Sequence, residues 1–313
     1  MIHVLYENAD WLPPLEAALQ NRKLPYTLHF VDGGELDLST PPAPGIYLNR
    51  MSPSSHTRGH QGGVRFIGEY LRHLEAHGRR VVNGSAAFDL ELSKVRQDLA
   101  LRRFDIRSPR TLAVVGRERL KQAARLMELP FITKDNQGGK GLGVQLFRDL
   151  EAFDAYIDGP DYIPGPDGVT LLQQYIEPAG QHITRIEIVR GELVYAMNSS
   201  TAGGFELCPA DACQVDDAYC PVGESGTFEV NADITTEDPL VQAYVRLMQA
   251  YGLDLAGIEF VTDAEGVRYT YDINGTTNYN SSVEEQAGVK GFEVLAEWLE
   301  RLLAQENEAA AAK

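Results

Sequence analysis

The sequence predicts an α/β protein: an N-terminal parallel sheet followed by a lid and a body of mixed α+β character. Three observations carry this. Strand-like and helix-like segments alternate through the first 85 residues. Two strand-like segments, 131–134 and 143–147, flank a glycine-rich stretch containing lysine. Two apolar hairpins, 184–197 and 255–273, carry polar residues at alternate positions.

In chain order, residues 2–7 form a strand, 11–21 have helical periodicity and 26–32 form a second strand. The run Pro41-Pro42-Ala43-Pro44-Gly45 then leads into a third strand, 46–50. A β-α-β order implies parallel strands whose functional loops lie at their C-terminal ends. The loop 50–60 therefore faces a cleft. A helix over 63–77 and a short strand over 80–83, ending in Asn83-Gly84-Ser85, complete a first unit, 1–85. The second unit, 86–165, opens with Ser93 as the N-cap of a helix running to 103. It continues with a helix over 117–128, the two strands flanking the glycines, and the linker-like segment 159–168. The third unit, 166–313, begins with a strand over 170–175 and the hairpin 184–189/192–197, turning at Arg190-Gly191. After a long irregular stretch, 199–231, come a helix over 237–251, the hairpin 255–261/267–273 and a closing helix over 291–303. Residues 306–313 read as a solvated tail.

Hydrophobic residues make up 43% and charged residues 23% of the 313, an ordinary globular balance. No apolar run is long enough for a membrane span, and the N-terminus lacks the layout of a signal peptide. With 28 Lys and Arg against 45 Asp and Glu, the formal charge is −17. That opposes non-specific contact with nucleic acid or anionic lipid, but leaves room for one small phosphate held by local backbone N–H groups, with magnesium recruited. The three cysteines, Cys208, Cys213 and Cys220, match neither a disulfide framework nor a zinc spacing. Reduced thiols and a cytoplasmic home are expected.

The strongest chemical signal is Lys134-Asp135-Asn136-Gln137-Gly138-Gly139-Lys140-Gly141-Leu142-Gly143. Its glycines let backbone N–H groups close on an anion, and Lys134 and Lys140 add charge. The Walker pattern is absent, and a strand rather than a helix follows. The alternative is a plain glycine-rich hairpin. The second signal pairs Glu259 with Asp272 and Asn274 across the last hairpin. Asp272 and Asn274 share one strand face, and Glu259 falls close to opposite Asp272 if one bulge intervenes. Three oxygen donors on one face suit magnesium. Weaker signals are Gln173-Gln174-Tyr175-Ile176-Glu177, a polar strand end able to read adenine and ribose, and Arg185 on an apolar strand. A buried arginine needs a partner, either a phosphate or a structural carboxylate.

Taken in order, these motifs resemble the ATP-grasp superfamily, and within it the RimK-like carboxylate–amine ligases related to glutathione synthetase and the glutamate ligases. The likeness covers nearly the whole chain. It rests on the Asn83-Gly84-Ser85 turn, Lys94 opening a helix, Lys134 before the glycines, the Gln173-Gln174-Tyr175-Ile176 hinge, Arg185, and Glu259, Asp272 and Asn274. The family usually has glutamate where Gln174 stands, glutamate in place of Asp272, and arginine at the position of Asn198. The last difference leaves glutamate specificity open.

The resemblance implies an ATP-grasp fold with an N-terminal pre-grasp domain. It also implies ATP with one or two magnesium ions, manganese being an alternative, and an amide bond formed through an acyl phosphate. Arg185 and Lys134 would be catalytic. ATP would be bound by Lys94, Lys134, Gly138, Gly139, Lys140, Gly141, Gly143, Gln174, Tyr175, Ile176 and Glu177. The metal would be held by Glu259, Asp272 and Asn274. Substrate recognition is expected of the cleft loop, Arg50, His56, Arg58 and His60, with Asn198 and Asn278 as further candidates. The implied partners are small-molecule or peptide carboxylates and amines, with homo-oligomerisation open and no nucleic acid or membrane. A phosphotransferase or a non-catalytic nucleotide-binding module remain as alternatives.

Overall fold

A computed structural model describes residues 1–139, 144–201 and 228–311. Strands β1 (Ile2–Tyr6), β2 (Tyr26–Phe30), β3 (Ile46–Arg50) and β4 (Arg80–Val82) form a four-stranded sheet in the order β2-β1-β3-β4. Every pair is parallel. Alternation along each strand splits its side chains between two cores. Ile2, Val4, Leu48 and Val82 pack with Leu15 and Leu19 of α1 (Pro13–Asn21). Leu5, Tyr47 and Val81 pack with Ile67, Leu71 and Leu74 of α2 (Gln61–Ala76). The loop after β3 is a 3-10 turn, Pro53–Arg58, whose Ser52 hydroxyl accepts from Ser54 N.

Next come α3 (Ser85–Glu91) and α4 (Lys94–Arg103), and the Ser93 hydroxyl caps α4 by accepting from Arg96 N. A second sheet contains β5 (Thr111–Val114), β6 (Phe131–Asp135), β7 (Gln145–Phe147) and β8 (Thr170–Gln174), in the order β5-β8-β6-β7 and antiparallel throughout. It is backed by α5 (Arg117–Ala124) and α6 (Leu150–Asp158), around Phe131, Phe147, Phe153 and Leu172. The third sheet contains β9 (His182–Val189), β10 (Glu192–Ser200), β11 (Phe228–Val230), β12 (Leu255–Thr262) and β13 (Arg268–Asn274), in the order β11-β10-β9-β12-β13. One face packs on α7 (Pro239–Tyr251), with Ile186, Ile258 and Ile273 against Tyr244 and Leu247. After β13 come α8 (Ser281–Ala287) and α9 (Gly291–Ala311), and α9 returns to the first sheet through Leu295 and Leu299.

Three expectations change. The division at 165/166 cuts the lid sheet, because β8 lies between β5 and β6 and buries Leu172 among the lid phenylalanines. A strand segment does not by itself announce which sheet it joins. The division at 85/86 also moves. Ala87, Leu90, Ala100 and Leu101 of α3 and α4 pack with Ile186, Ile258 and Ile273, so these helices belong to the body. Finally, residues 306–311 continue α9 rather than forming a tail, although 304–308 are exposed. Four further elements, α3, β5, α6 and α8, are not among those expected from the sequence. Within the stretch 199–231, β10 extends to Ser200 and β11 occupies Phe228–Val230. The three cysteines lie outside the described residues. No helix among the described residues is long and apolar enough to cross a membrane.

Candidate active site

Glu259 on β12 stands opposite Asp272 on β13, Gly257 stands opposite Asn274, and the expected bulge falls between Glu259 and Phe260. With period two, Glu259, Asp272 and Asn274 share the sheet face that turns away from α7. Two carboxylates and an amide thus converge at the end of a hairpin. Such a hard-oxygen donor set fits magnesium. Among the described residues there is no group of three or more His, Cys, Asp or Glu side chains able to hold a metal.

Cations already hold both carboxylates. Lys94 Nζ lies 2.9 Å from Asp272 Oδ1, and Arg185 Nη1 lies 2.7 Å from Glu259 Oε1. Burial works against the Asp272 carboxylate, but Lys94 and Lys134 outweigh it and keep its pKa below the ordinary value. Burial raises the Glu259 pKa despite Arg185.

Arg185 is anchored on three sides. Its Nε donates to Glu187 Oε1 at 2.6 Å, Nη1 to Glu259, and Nη2 to Thr277 Oγ1 at 2.7 Å. The Thr277 hydroxyl also lies within 2.9 Å of both Glu187 oxygens. The guanidinium lies so close over β12 that a Cβ on Gly257 would stand 2.0 Å from Nη2. Only glycine fits there. Of the two partners considered for Arg185, the structure supplies carboxylates. Glu187, fully buried, and Thr277 were not anticipated. Glu187 was within reach of a sequence reading, since it lies two residues after Arg185 on the same strand face; Thr277 sits in a loop that has no period.

Lys134 approaches from the lid sheet, and Lys94 from the first turn of α4 in the body. Lys134, one residue before the end of β6, has its Nζ 3.4 Å from Tyr271 O and 5.5 Å from the centre of the Tyr271 ring. Burial, and then the neighbouring charge of Lys94, pushes its pKa down to about 7. Lys94 also donates to Gly138 O at 3.3 Å. Here the glycine stretch meets the first sheet's loop. Gln137 Nε2 reaches Pro53 O at 3.5 Å, and a Cβ on Gly139 would lie 3.7 Å from Ser54 Cβ. Lys140, Gly141 and Gly143 lie outside the described residues.

At the expected adenine edge, Gln174 is engaged with β5, since its N donates to Arg110 O and its Oε1 accepts from Arg110 N. Tyr175 N donates to Pro130 O. Tyr175 and Ile176 are half-buried and Glu177 is exposed.

The substrate candidates divide. Arg50, at the end of β3, reaches into the site region and donates to Thr277 O at 2.6 Å and to Asn278 Oδ1. Arg58 and His60 instead grip the buried Glu7, and Arg58 stacks over Trp11. His56 Nδ1 lies 3.0 Å from Pro53 O in its own turn. Asn198 is not brought to the site. Met197 pairs with Arg185 and Asn198 with Thr184, so Asn198 points to the opposite face, where it accepts from the Thr184 hydroxyl.

Two further residues organise the loop after β13. Glu91 accepts from Thr276 N at 2.8 Å. Asn83, in the left-handed region at φ 51°, donates to Leu255 O and Gly275 O and accepts from the N–H groups of Asp254 and Leu255. It thereby ties the first sheet to the start of β12 and the end of β13.

The three-sheet architecture that carries this face of carboxylates and cations is that of the ATP-grasp fold. Residues 92–207 match the RimK-like ATP-grasp domain. The chain is 24% identical over 243 residues to a probable alpha-L-glutamate ligase of Mannheimia succiniciproducens, covering 75% of this chain and 72% of that protein. Among solved structures, it is similar to a RimK domain ATP-grasp protein from Sphaerobacter thermophilus, with TM-score 0.65 and 19% identity over 94% of this chain and 98% of that one. It is also similar to a D-alanine–D-alanine ligase from Bacillus anthracis complexed with ATP, with TM-score 0.65 and 13% identity over 98% of each. The match to the RimK-like ATP-grasp domain covers residues 92–207, and the solved structures share the fold of nearly the whole chain.

Proposed function

We propose that the face formed by Glu259, Asp272, Asn274, Lys94, Lys134 and Arg185 joins a carboxylate to an amine at the expense of ATP. The chain is an ATP-dependent ligase, and the single observation that carries the site assignment is the facing pair Glu259 and Asp272, each already matched by a cation. Glu259, Asp272 and Asn274 would hold magnesium, which when bound neutralises phosphate charge. Lys94 and Lys134 bind phosphate oxygens of ATP, Lys94 exchanging the Asp272 carboxylate for them. Gly138 and Gly139 supply backbone N–H groups close to the same phosphates. The segment 174–177 is the adenine edge, and with the Gln174 side chain engaged by Arg110 the base meets backbone groups there.

A substrate carboxylate oxygen attacks the γ-phosphorus, the bond to ADP breaks, and an acyl phosphate forms. The amine then attacks the acyl carbon; phosphate leaves, the amine proton is lost to solvent, and an amide remains. Arg185 is fixed beside this path by Glu187 and Thr277, so it stabilises developing charge without first having to be ordered. No protein nucleophile takes part.

The test is ADP release across pairs of carboxylates and amines, with hydroxylamine as a trap and Glu259→Ala as control. Hydroxamate formation that depends on ATP and is lost in the control supports the reading. ADP release with phosphate transferred to a hydroxyl, and no hydroxamate, would replace it with phosphotransfer.

A further inference from the structure

Asn136 lies in the glycine-rich stretch, midway between Lys134 and Gly138, and the chemistry proposed above gives it no part. It is 6% exposed, and each of its polar atoms has a partner. Its N donates to Val169 O at 3.2 Å, and its O accepts from Lys94 N at 3.2 Å. Its Oδ1 accepts from Val95 N at 2.9 Å and from the Ser93 hydroxyl at 3.1 Å, and its Nδ2 donates to Asp167 Oδ2. A buried asparagine satisfied at every polar atom is fixed in place, because moving it strands several groups at once.

Its partners belong to separate parts of the fold. Lys94 and Val95 open α4, and the first N–H groups of a helix have no partner within it. Asn136, just past β6, supplies partners for these two, while Ser93 accepts from Arg96 N. A helix of the body is thus capped in part by the lid. On the other side, Asp167 belongs to the segment leading into β8, and its Oδ1 accepts from Val169 N. Asn136 therefore joins the lid strand, that segment and α4. The helix turn it caps carries Lys94, whose Nζ reaches Asp272 Oδ1 in the body and Gly138 O in the glycine stretch. Two residues before Asn136, Lys134 Nζ reaches Tyr271 O. Both lysines and Gly138 take their positions from the segment that Asn136 pins.

We infer that Asn136 is a positioning residue of the nucleotide site: it pins the lid to the N-terminus of α4, so that Lys94, Lys134 and the glycine N–H groups meet the phosphates as one preformed set. Groups ordered in advance bind more tightly, since less freedom is lost on binding. Asn136 acts through Lys94 and the lid rather than on the phosphates themselves. The inference rests on the ATP-site reading, and its test separates the two.

The experiment is calorimetric titration of the whole protein with magnesium and a non-hydrolysable ATP analogue, well below the melting temperature. Wild type, N136A, N136D, D167N and the exchange N136D/D167N are compared. N136A should weaken the analogue about tenfold or more. N136D keeps the acceptors for α4 but sets a carboxylate against Asp167, and should weaken it as well. The exchange restores that bond with donor and acceptor reversed, and should return the affinity to within about threefold of wild type. D167N alone should not bind more tightly than wild type. A merely structural asparagine would lower the melting temperature and leave the affinity of the folded protein unchanged. The inference is overturned if N136A or N136D binds as tightly as wild type, or if the exchange binds no more tightly than N136D. It is also overturned if D167N alone tightens binding enough to account for the rescue. Should N136A fail to fold, N136D and the exchange decide in its place. A wild type that does not bind the analogue would instead remove the nucleotide site, and the inference with it.

Discussion

Glu259 and Asp272 face each other across two antiparallel strands, yet each is claimed by a cation from a different part of the fold: Arg185 from β9 and Lys94 from α4. Two carboxylates facing each other repel, and the two separate cations offset that repulsion.

If this pair holds magnesium, Glu259→Gln should lower turnover by about 100-fold or more and raise the magnesium concentration needed for half activity. The amide can still accept from Arg185, so the melting temperature should stay near wild type. A magnesium titration of ADP release checks it; an unchanged midpoint would remove Glu259 from the metal set.

Lys134 sits with its pKa near 7, pushed there by burial and by Lys94. ATP phosphates favour its charged form, so binding ATP above pH 7 should take up a proton. Calorimetry in two buffers of different ionisation enthalpy should show that uptake, and Lys134→Ala should abolish it while raising the KM of ATP about tenfold or more.

Burial raises the Glu91 pKa from 4.5 to about 7. Between those values the folded protein keeps a proton that the unfolded chain has lost, so the stability from Glu91 is full below about 4.5 and falls as pH rises to about 7. The difference corresponds to about 3 kcal/mol. Glu91→Gln should flatten this decline, making the variant more stable than wild type at pH 8 but not at pH 4.5. Melting curves at the two pH values decide it.

Gly257→Ala would drive a methyl group into the Arg185 guanidinium. Loss of turnover by about 100-fold is expected, with folding retained and the KM of ATP little changed. Turnover equal to wild type would show that Arg185 can shift without cost and is not a positioned catalytic group.

Asn83→Ala leaves two buried carbonyls and two buried N–H groups without their partner. A loss of about 3 kcal/mol is expected, read by denaturant unfolding.

The sequence alone determined the parts whose physics is local. Period-two alternation placed Asp272 and Asn274 on one face, and the spacing set Glu259 close to opposite Asp272 with one bulge allowed for. The pattern around Lys134 marked a glycine stretch between two strands, and Ser93 announced its helix. These follow from backbone geometry within a few residues. Only the tertiary structure decided what depends on residues distant in the chain. It paired Arg185 with Glu187, Glu259 and Thr277, joined Arg50 to Thr277 O and Asn278 Oδ1, and turned Asn198 to the far face through the register of β9 and β10. It also moved β8 into the lid sheet and α3 and α4 into the body. Strand partners and buried charge pairs are chosen by which surfaces meet, and no local pattern carries that information.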